Sequence, residues 1–215
     1  MAIVFNTSSA GTSPVNATAG TVAHIYSGIN GILFAGIVDE AGDTITGVTY
    51  AGSTMTQVAK VLHSADSTEL YIYYILSPNS GANNIIASRT GTIGNIGLIN
   101  SSYNNVTGTD SNGTQYLATG TAGTLSVTTS ANNCWTVLLA KTSAGSIVAD
   151  QNATFVTGIP GNAWSILDNS GYGNISPPGA FSMVYTTQSS TGKAAIMTAF
   201  SPAASGQSGL QSKYW

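Results

Sequence analysis

Charge is what this sequence has least of. Asp, Glu, Lys and Arg make up only 6% of its 215 residues, against about a quarter in an average soluble protein. The cations Lys60, Arg89, Lys141, Lys193 and Lys213 are scattered, and the formal net charge is −3. A nucleic-acid interface needs clustered cations to neutralise phosphates, so no nucleic-acid partner is expected. Polybasic attachment to anionic lipid fails for the same reason. Cys134 is the single cysteine, so no internal disulfide can form. It precedes Trp135 and the apolar Val137-Leu138-Leu139, and with no base beside it a buried structural thiol is expected rather than a nucleophile. No apolar run reaches the roughly 18 residues of a membrane-spanning helix. The opening MAIVFNTSSAGTSP lacks the basic start and apolar middle of a signal peptide. If full length, such a chain is expected to be made in a cytosol and to leave, if at all, by lysis or a dedicated machine. Helical patterning is missing too: nowhere do Ala, Leu, Glu and Lys dominate at i, i+3, i+4 spacing.

Short β-rich runs fill the space instead. Residues 32–38, 45–50, 55–62 and 70–76 are apolar and rich in branched or aromatic side chains, with a turn-forming segment after each, the signature of an antiparallel meander. The run at 32–38 is nearly continuous, which fits a central strand covered on both faces. In LYIYYIL, residues 70–76, both faces are apolar or aromatic, so core packing is expected of the tyrosines in preference to an exposed sugar-stacking platform. Ala51-Gly52-Ser53 reads as a tight turn, with Gly52 supplying the positive φ. Pro78 closes a strand by removing a ladder donor. Residues 91–123 are polar and glycine-spotted, and Tyr103, Asn104 and Asn105 are expected on a long end loop, where binding usually resides. Beyond it the same logic repeats, with strands expected around 125–128, 134–140, 164–167, 181–185 and 194–200. The sum is an all-β, antiparallel, jelly-roll-like sandwich of roughly ten to twelve strands. One domain is expected over residues 1–202, followed by a linker-like arm, 203–215, that ends in Lys213-Tyr214-Trp215.

Candidate chemistry is thin. Asp39, Glu40 and Asp43 place carboxylates close enough to hold a hard cation such as Ca²⁺, but the spacing is not that of a regular calcium loop. They are weak metal candidates beside the plainer reading of a solvated hairpin tip. His24 alternates with apolar neighbours and reads as structural. His63, Ser64 and Asp66 bring the residue types of a catalytic triad into one short turn, yet a triad needs convergence in space, a strained nucleophile and an oxyanion hole. No GxSxG occurs, no paired acid–base constellation stands out, and neither enzymatic activity nor a cofactor is expected. N-x-S/T sequons at Asn6, Asn16, Asn100, Asn105, Asn112, Asn152 and Asn174 are what a chain rich in Asn, Ser and Thr produces by chance.

The meander resembles a β-sandwich module common in phage-derived sequences and in some secreted bacterial proteins. The resemblance is carried by ILFAGI at 32–37, TGVTYAGSTMT at 46–56, ELYIYY at 69–74 and PNSGANNI at 78–85, with KAAIMTAFSP at 193–202 as the closing strand and MAIVFNTSSAG as the opening. It implies a jelly-roll-like sandwich on a virion surface or in an extracellular assembly, and it brings no catalytic residues. The expectation is therefore a phage virion structural protein, a capsid decoration or another surface-exposed head or tail subunit. Its partners would be capsid or other virion proteins and further copies of itself, with a trimer as the guessed state. The alternatives are a carbohydrate-binding module or adhesin recognising cell-surface glycan, and a subunit of a non-viral filament in which Ile3-Val4-Phe5 inserts into a neighbour. Trp135, Trp164 and Trp215 are the sugar-stacking candidates, although the apolar context of Trp135 and Trp164 predicts that both are buried.

Overall fold

In the computed structural model the described residues are 1–40, 43–159, 164–188 and 190–203. They form an all-β, antiparallel sandwich architecture of seventeen strands. The first half of the chain contributes β1 (Val4–Thr12), β2 (Ala19–Tyr26), β3 (Ile32–Asp39), β4 (Ile45–Tyr50), β5 (Ser53–Thr54), β6 (Thr56–His63), β7 (Thr68–Leu76), β8 (Gly81–Arg89) and β9 (Ile96–Asn104). The second contributes β10 (Val106–Leu117), β11 (Ala122–Thr128), β12 (Trp135–Thr142), β13 (Ile147–Ala149), β14 (Thr154–Ile159), β15 (Trp164–Asp168), β16 (Ala180–Thr187) and β17 (Lys193–Pro202). Each half folds into two sheets. The first has an inner sheet ordered β1-β9-β3-β7-β6 and an outer sheet β2-β8-β4-β5; the second has an inner sheet β10-β17-β12-β15-β14 and an outer sheet β11-β16-β13. In both, the first strand of the half pairs with its last.

The two inner sheets pack face to face, so the span 1–202 holds four layers and three cores. Between the inner sheets lie Ile32, Phe34, Ile72 and Tyr103 from the first half and Trp135, Val137, Ile166 and Phe200 from the second. Between the layers of the first half lie Leu33, Ala35, Ile37, Tyr71 and Tyr73 with Val48, Tyr50 and Ile85. Leu138, Ala140, Leu167 and Met197 meet Leu125, Met183 and Tyr185 in the second. An inner strand is thus covered on both sides, which is why β3 and β12 are buried at every position and read as continuous apolar runs. The tyrosines of β7 do pack in the core, Tyr71 and Tyr73 on one face opposite Leu70 and Ile72 on the other.

The halves are duplicates in register as well as in order. Ile32 stands opposite Tyr103, and Trp135 opposite Phe200. Phe34 stands opposite Tyr74, and Val137 opposite Asp168. A β-bulge interrupts β6 between Gln57 and Ala59, and a matching one interrupts β14 between Phe155 and Thr157. Exchange of the halves also preserves their packing: β1 lies against β14 as β10 lies against β6, and β9 against β14 as β17 against β6. Asn30 and Asn133, each shortly before its half's central strand, share the left-handed conformation at φ 51° and 61°.

The strand count exceeds the expected ten to twelve largely because polar segments also form strands. Residues 96–117, expected as loop apart from a short apolar run, are β9 and β10. Tyr103 is fully buried, Asn104 ends β9, and Asn105 is the single residue linking the halves, at φ 62°. The β4–β5 turn has positive φ at both Ala51 and Gly52. Ile3 is buried, and Val4 and Phe5 open β1, which pairs with β9 of the same chain. Ala203 is buried, and its N–H donates to Asn105 O at 2.7 Å. Residues 204–215 of the expected arm, with Trp215, lie outside the described residues.

Candidate functional site

Asp39, Glu40 and Asp43 do not converge on a common point. Asp39 ends β3 in the interior, and Arg89 reaches it with Nη1 at 2.8 Å from Oδ1. Arg89 Nε lies 3.6 Å from Asp43 Oδ2, and the same guanidinium donates to the carbonyls of Ala17, Ile93 and Gly94. Glu40 turns to Asn95, accepting from its backbone N–H at 3.3 Å and its Nδ2 at 3.2 Å. A buried guanidinium with five donors therefore stands where a cation would. Among the described residues no group of three His, Cys, Asp or Glu side chains could hold a metal ion. Burial raises the Asp39 carboxyl to about 6 against the opposing pull of Arg89. The solvated hairpin tip expected here is, at Asp39, a buried ion pair.

His24 is buried between two hydroxyls, with Nδ1 2.9 Å from Ser9 Oγ and Nε2 3.0 Å from Ser102 Oγ. Cys134 is buried, burial raises its thiol, and its sulfur donates to Ala131 O at 3.2 Å. Both are structural in their surroundings. Trp135 and Trp164 are 8% and 2% exposed, so neither offers a face for stacking.

His63 and Asp66 do meet, at 2.7 Å between Nδ1 and Oδ1. Their third partner is not Ser64 but Ser143 from the second half, whose Oγ lies 3.2 Å from His63 Nε2. The order Ser–His–Asp is that of a hydrolytic relay, but its surroundings are not. Lys141 Nζ sits on the far oxygen of Asp66. Burial alone would raise that carboxyl, but Lys141, Thr68 and His63 bring it down to about 2. The His63 side chain is fully buried, and the Ser143 N–H donates to Gly192 O at 3.0 Å, so it is spent and not free to bind an oxyanion. The cluster is a polar staple between the β6–β7 hairpin and the second half.

A concave feature with exposed aromatic walls lies on the seam where β1 meets β14. A cleft of about 170 Å³ is lined by Phe5, Phe155, Val156, Asp168 and Ser170. Phe5 is 40% exposed and Phe155 52%, whereas Asp168 at the floor is 1% exposed. Phe5 is braced edge-on by Tyr103, with ring centroids 5.8 Å apart. Tyr103 also donates its hydroxyl to Asp168 Oδ2 at 3.0 Å, and Ser170 donates its backbone N–H to Oδ1 at 3.0 Å. Burial raises the Asp168 carboxyl, and these donors pull it back.

The duplication explains the cleft. On the matching seam, between β10 and β6, the positions equivalent to Phe5, Phe155 and Asp168 are Thr109, Gln57 and Tyr74, as the shared ladders and bulges fix. Tyr74 packs its ring against the central core. Asp168 is too short to do so, and it leaves a cavity over itself. The sequence signals none of this locally: Asp168 reads as the start of a turn, and Phe155 sits in a short amphipathic run. Comparison with known proteins finds no protein-family model, no curated protein and no solved structure that matches this chain.

Proposed function

We propose that the chain is a non-enzymatic structural subunit of a virion surface, a capsid decoration or a related head or tail component. The observation that carries this reading is the chemistry of the two outer sheets. Among their strands β2, β4, β5, β8, β11, β13 and β16, the only charged residue is Arg89, and it points inward. Their solvent faces are built of residues such as Thr21, Ala23, Ile25, Asn84 and Ile86 on one side and Thr124, Ser126, Thr128 and Val148 on the other. Uncharged faces favour apolar and hydrogen-bonded contact with a neighbour and provide little of the like-charge repulsion that keeps proteins apart. Charge is concentrated elsewhere, in buried or hairpin-bound pairs such as Arg89–Asp39 and Lys141–Asp66. The glycan-binding alternative loses two of its stacking candidates, because Trp135 and Trp164 are buried.

An antibody against the folded protein should decorate phage particles from the source of this sequence in negative-stain electron microscopy. In parallel, light scattering should give a closed oligomer, and Ile86→Lys or Val148→Lys should weaken assembly without unfolding the chain. Bare particles together with a monomer insensitive to both substitutions would contradict the reading.

A further inference from the structure

We propose that the cleft between Phe5 and Phe155 is a binding site for an alkylammonium group, the side chain of a lysine on a partner protein. Three features converge on that chemistry. First, the floor is a carboxylate with no compensating cation. Among the described residues the ion pairs engage Lys60, His63, Arg89 and Lys141, none of them with Asp168, and its hydrogen-bond partners, Tyr103 and Ser170, are neutral. Tyr103 and Ser170, the latter through its backbone N–H and its hydroxyl, occupy part of the carboxylate's roughly four lone-pair sites and leave room for one further donor. An anion is repelled there. A neutral ligand such as a sugar can hydrogen-bond to the carboxylate but leaves its buried charge unpaired, and a buried unpaired charge is costly. An ammonium group pairs it.

Second, the walls are phenyl rings, which attract a cation through their faces and bury the methylenes of its stem. Third, the site belongs to one seam of a duplicated molecule. Its twin carries Thr109, Gln57 and Tyr74, with neither acid nor exposed phenyl at those positions. In the twin, Phe200 stands in the place of Tyr103 and has no hydroxyl, whereas Asp168 accepts the buried Tyr103 hydroxyl; a neutral amide oxygen would accept that bond as well, so the bond does not require the negative charge. The inference does not depend on the virion reading, since a lysine docks equally in any assembly.

The test is an NMR titration of the intact ¹⁵N-labelled protein with Nα-acetyl-lysine methylamide, against the uncharged Nα-acetyl-norleucine methylamide and against methyl glucoside. The lysine probe should shift the amides of Phe155, Val156 and Ser170. Norleucine should bind about tenfold more weakly or worse, a difference typical of one lost charge-assisted contact. Asp168→Asn should abolish the preference for lysine over norleucine. Phe155→Ala, at an exposed position that leaves the fold intact, should weaken the lysine probe several-fold, and it decides the matter if Asp168→Asn does not fold. Equal binding of lysine and norleucine, or lysine binding unaffected by Phe155→Ala, overturns the proposal. Tighter binding of the glucoside at the same amides overturns it in favour of a sugar site.

Discussion

His24 shows how a single buried residue ties stability to pH. Burial lowers its imidazole from 6.5 to about 4, because a charged ring would have to be accommodated between Ser9 and Ser102 away from water. Above pH 6.5 both folded and unfolded chains carry it neutral, and its contribution is complete. As pH falls from 6.5 toward 4 the unfolded chain takes up the proton first, and on the order of 3 kcal/mol is lost. Asp39 acts in the opposite sense: its folded carboxyl binds a proton below about 6, so its stabilising effect grows from pH 6 down to its unfolded value and is lost as pH rises through 6. His24→Gln removes the titration while keeping hydrogen-bonding capacity. Urea midpoints of wild type should fall between pH 7 and 4.5 relative to those of His24→Gln, whose own trend should be flat or rising. Parallel trends would show that His24 is not the group responsible.

At the scale of the element, the inner strands meet so closely that one position tolerates no side chain. A Cβ on Gly97 of β9 would lie 2.1 Å from Cζ3 of Trp164 on β15. Gly97→Ala should therefore destabilise by about 1–3 kcal/mol through overpacking, and Trp164→Leu in the same molecule should recover part of that loss, as thermal unfolding of the double-mutant cycle would read. Additive losses would mean that the two sheets do not press on each other there. The inner strands β3, β7 and β12 were legible in the sequence because both their faces are apolar. β9 was not, since its interior carries Asn100, Ser101 and Ser102, all fully buried. Asn100 and Ser102 are held by bonds to β1 and β2, from Asn100 Nδ2 to Ser9 Oγ at 3.1 Å and between Ser102 Oγ and His24. A polar strand paired on both edges looks like a loop to any reading based on periodicity. Asp39 misled in a related way: three nearby acids suggest a solvated tip until Arg89, 50 residues on, closes over two of them.

For the whole molecule, the duplication organises everything else, and the chain shows little of it. The clearest trace is Thr18-Ala19-Gly20-Thr21-Val22 against Thr121-Ala122-Gly123-Thr124-Leu125, where each half's second strand begins. The two glycines are crowded alike, Gly20 by Leu98 and Gly123 by the ring of Tyr185. Elsewhere the halves keep register but exchange side chains freely, Tyr103 for Phe200, Ile32 for Trp135, Tyr74 for Asp168. Fold class was therefore legible from local pattern, while the four layers, the staple through Ser143 and the cleft over Asp168 were not, because each depends on contacts between halves. These contacts are extensive. The Tyr103 ring lies 4.9 Å from Phe200 and 5.9 Å from Trp135, and Phe34 lies 5.2 Å from Phe200, centroid to centroid. Truncation of Phe200 to Ala should cost about 3–5 kcal/mol, and separation of the halves should expose the whole central core.

Splitting the chain at Asn105 tests that account most directly. Residues 1–105 and 106–215 would be produced separately and together, and followed by near-ultraviolet circular dichroism and sedimentation. If the halves share one core, each alone is aggregated or lacks fixed aromatic packing, and co-expression restores a soluble one-to-one complex with the spectrum of the intact protein. Two halves that fold independently, stay soluble and ignore each other would contradict it.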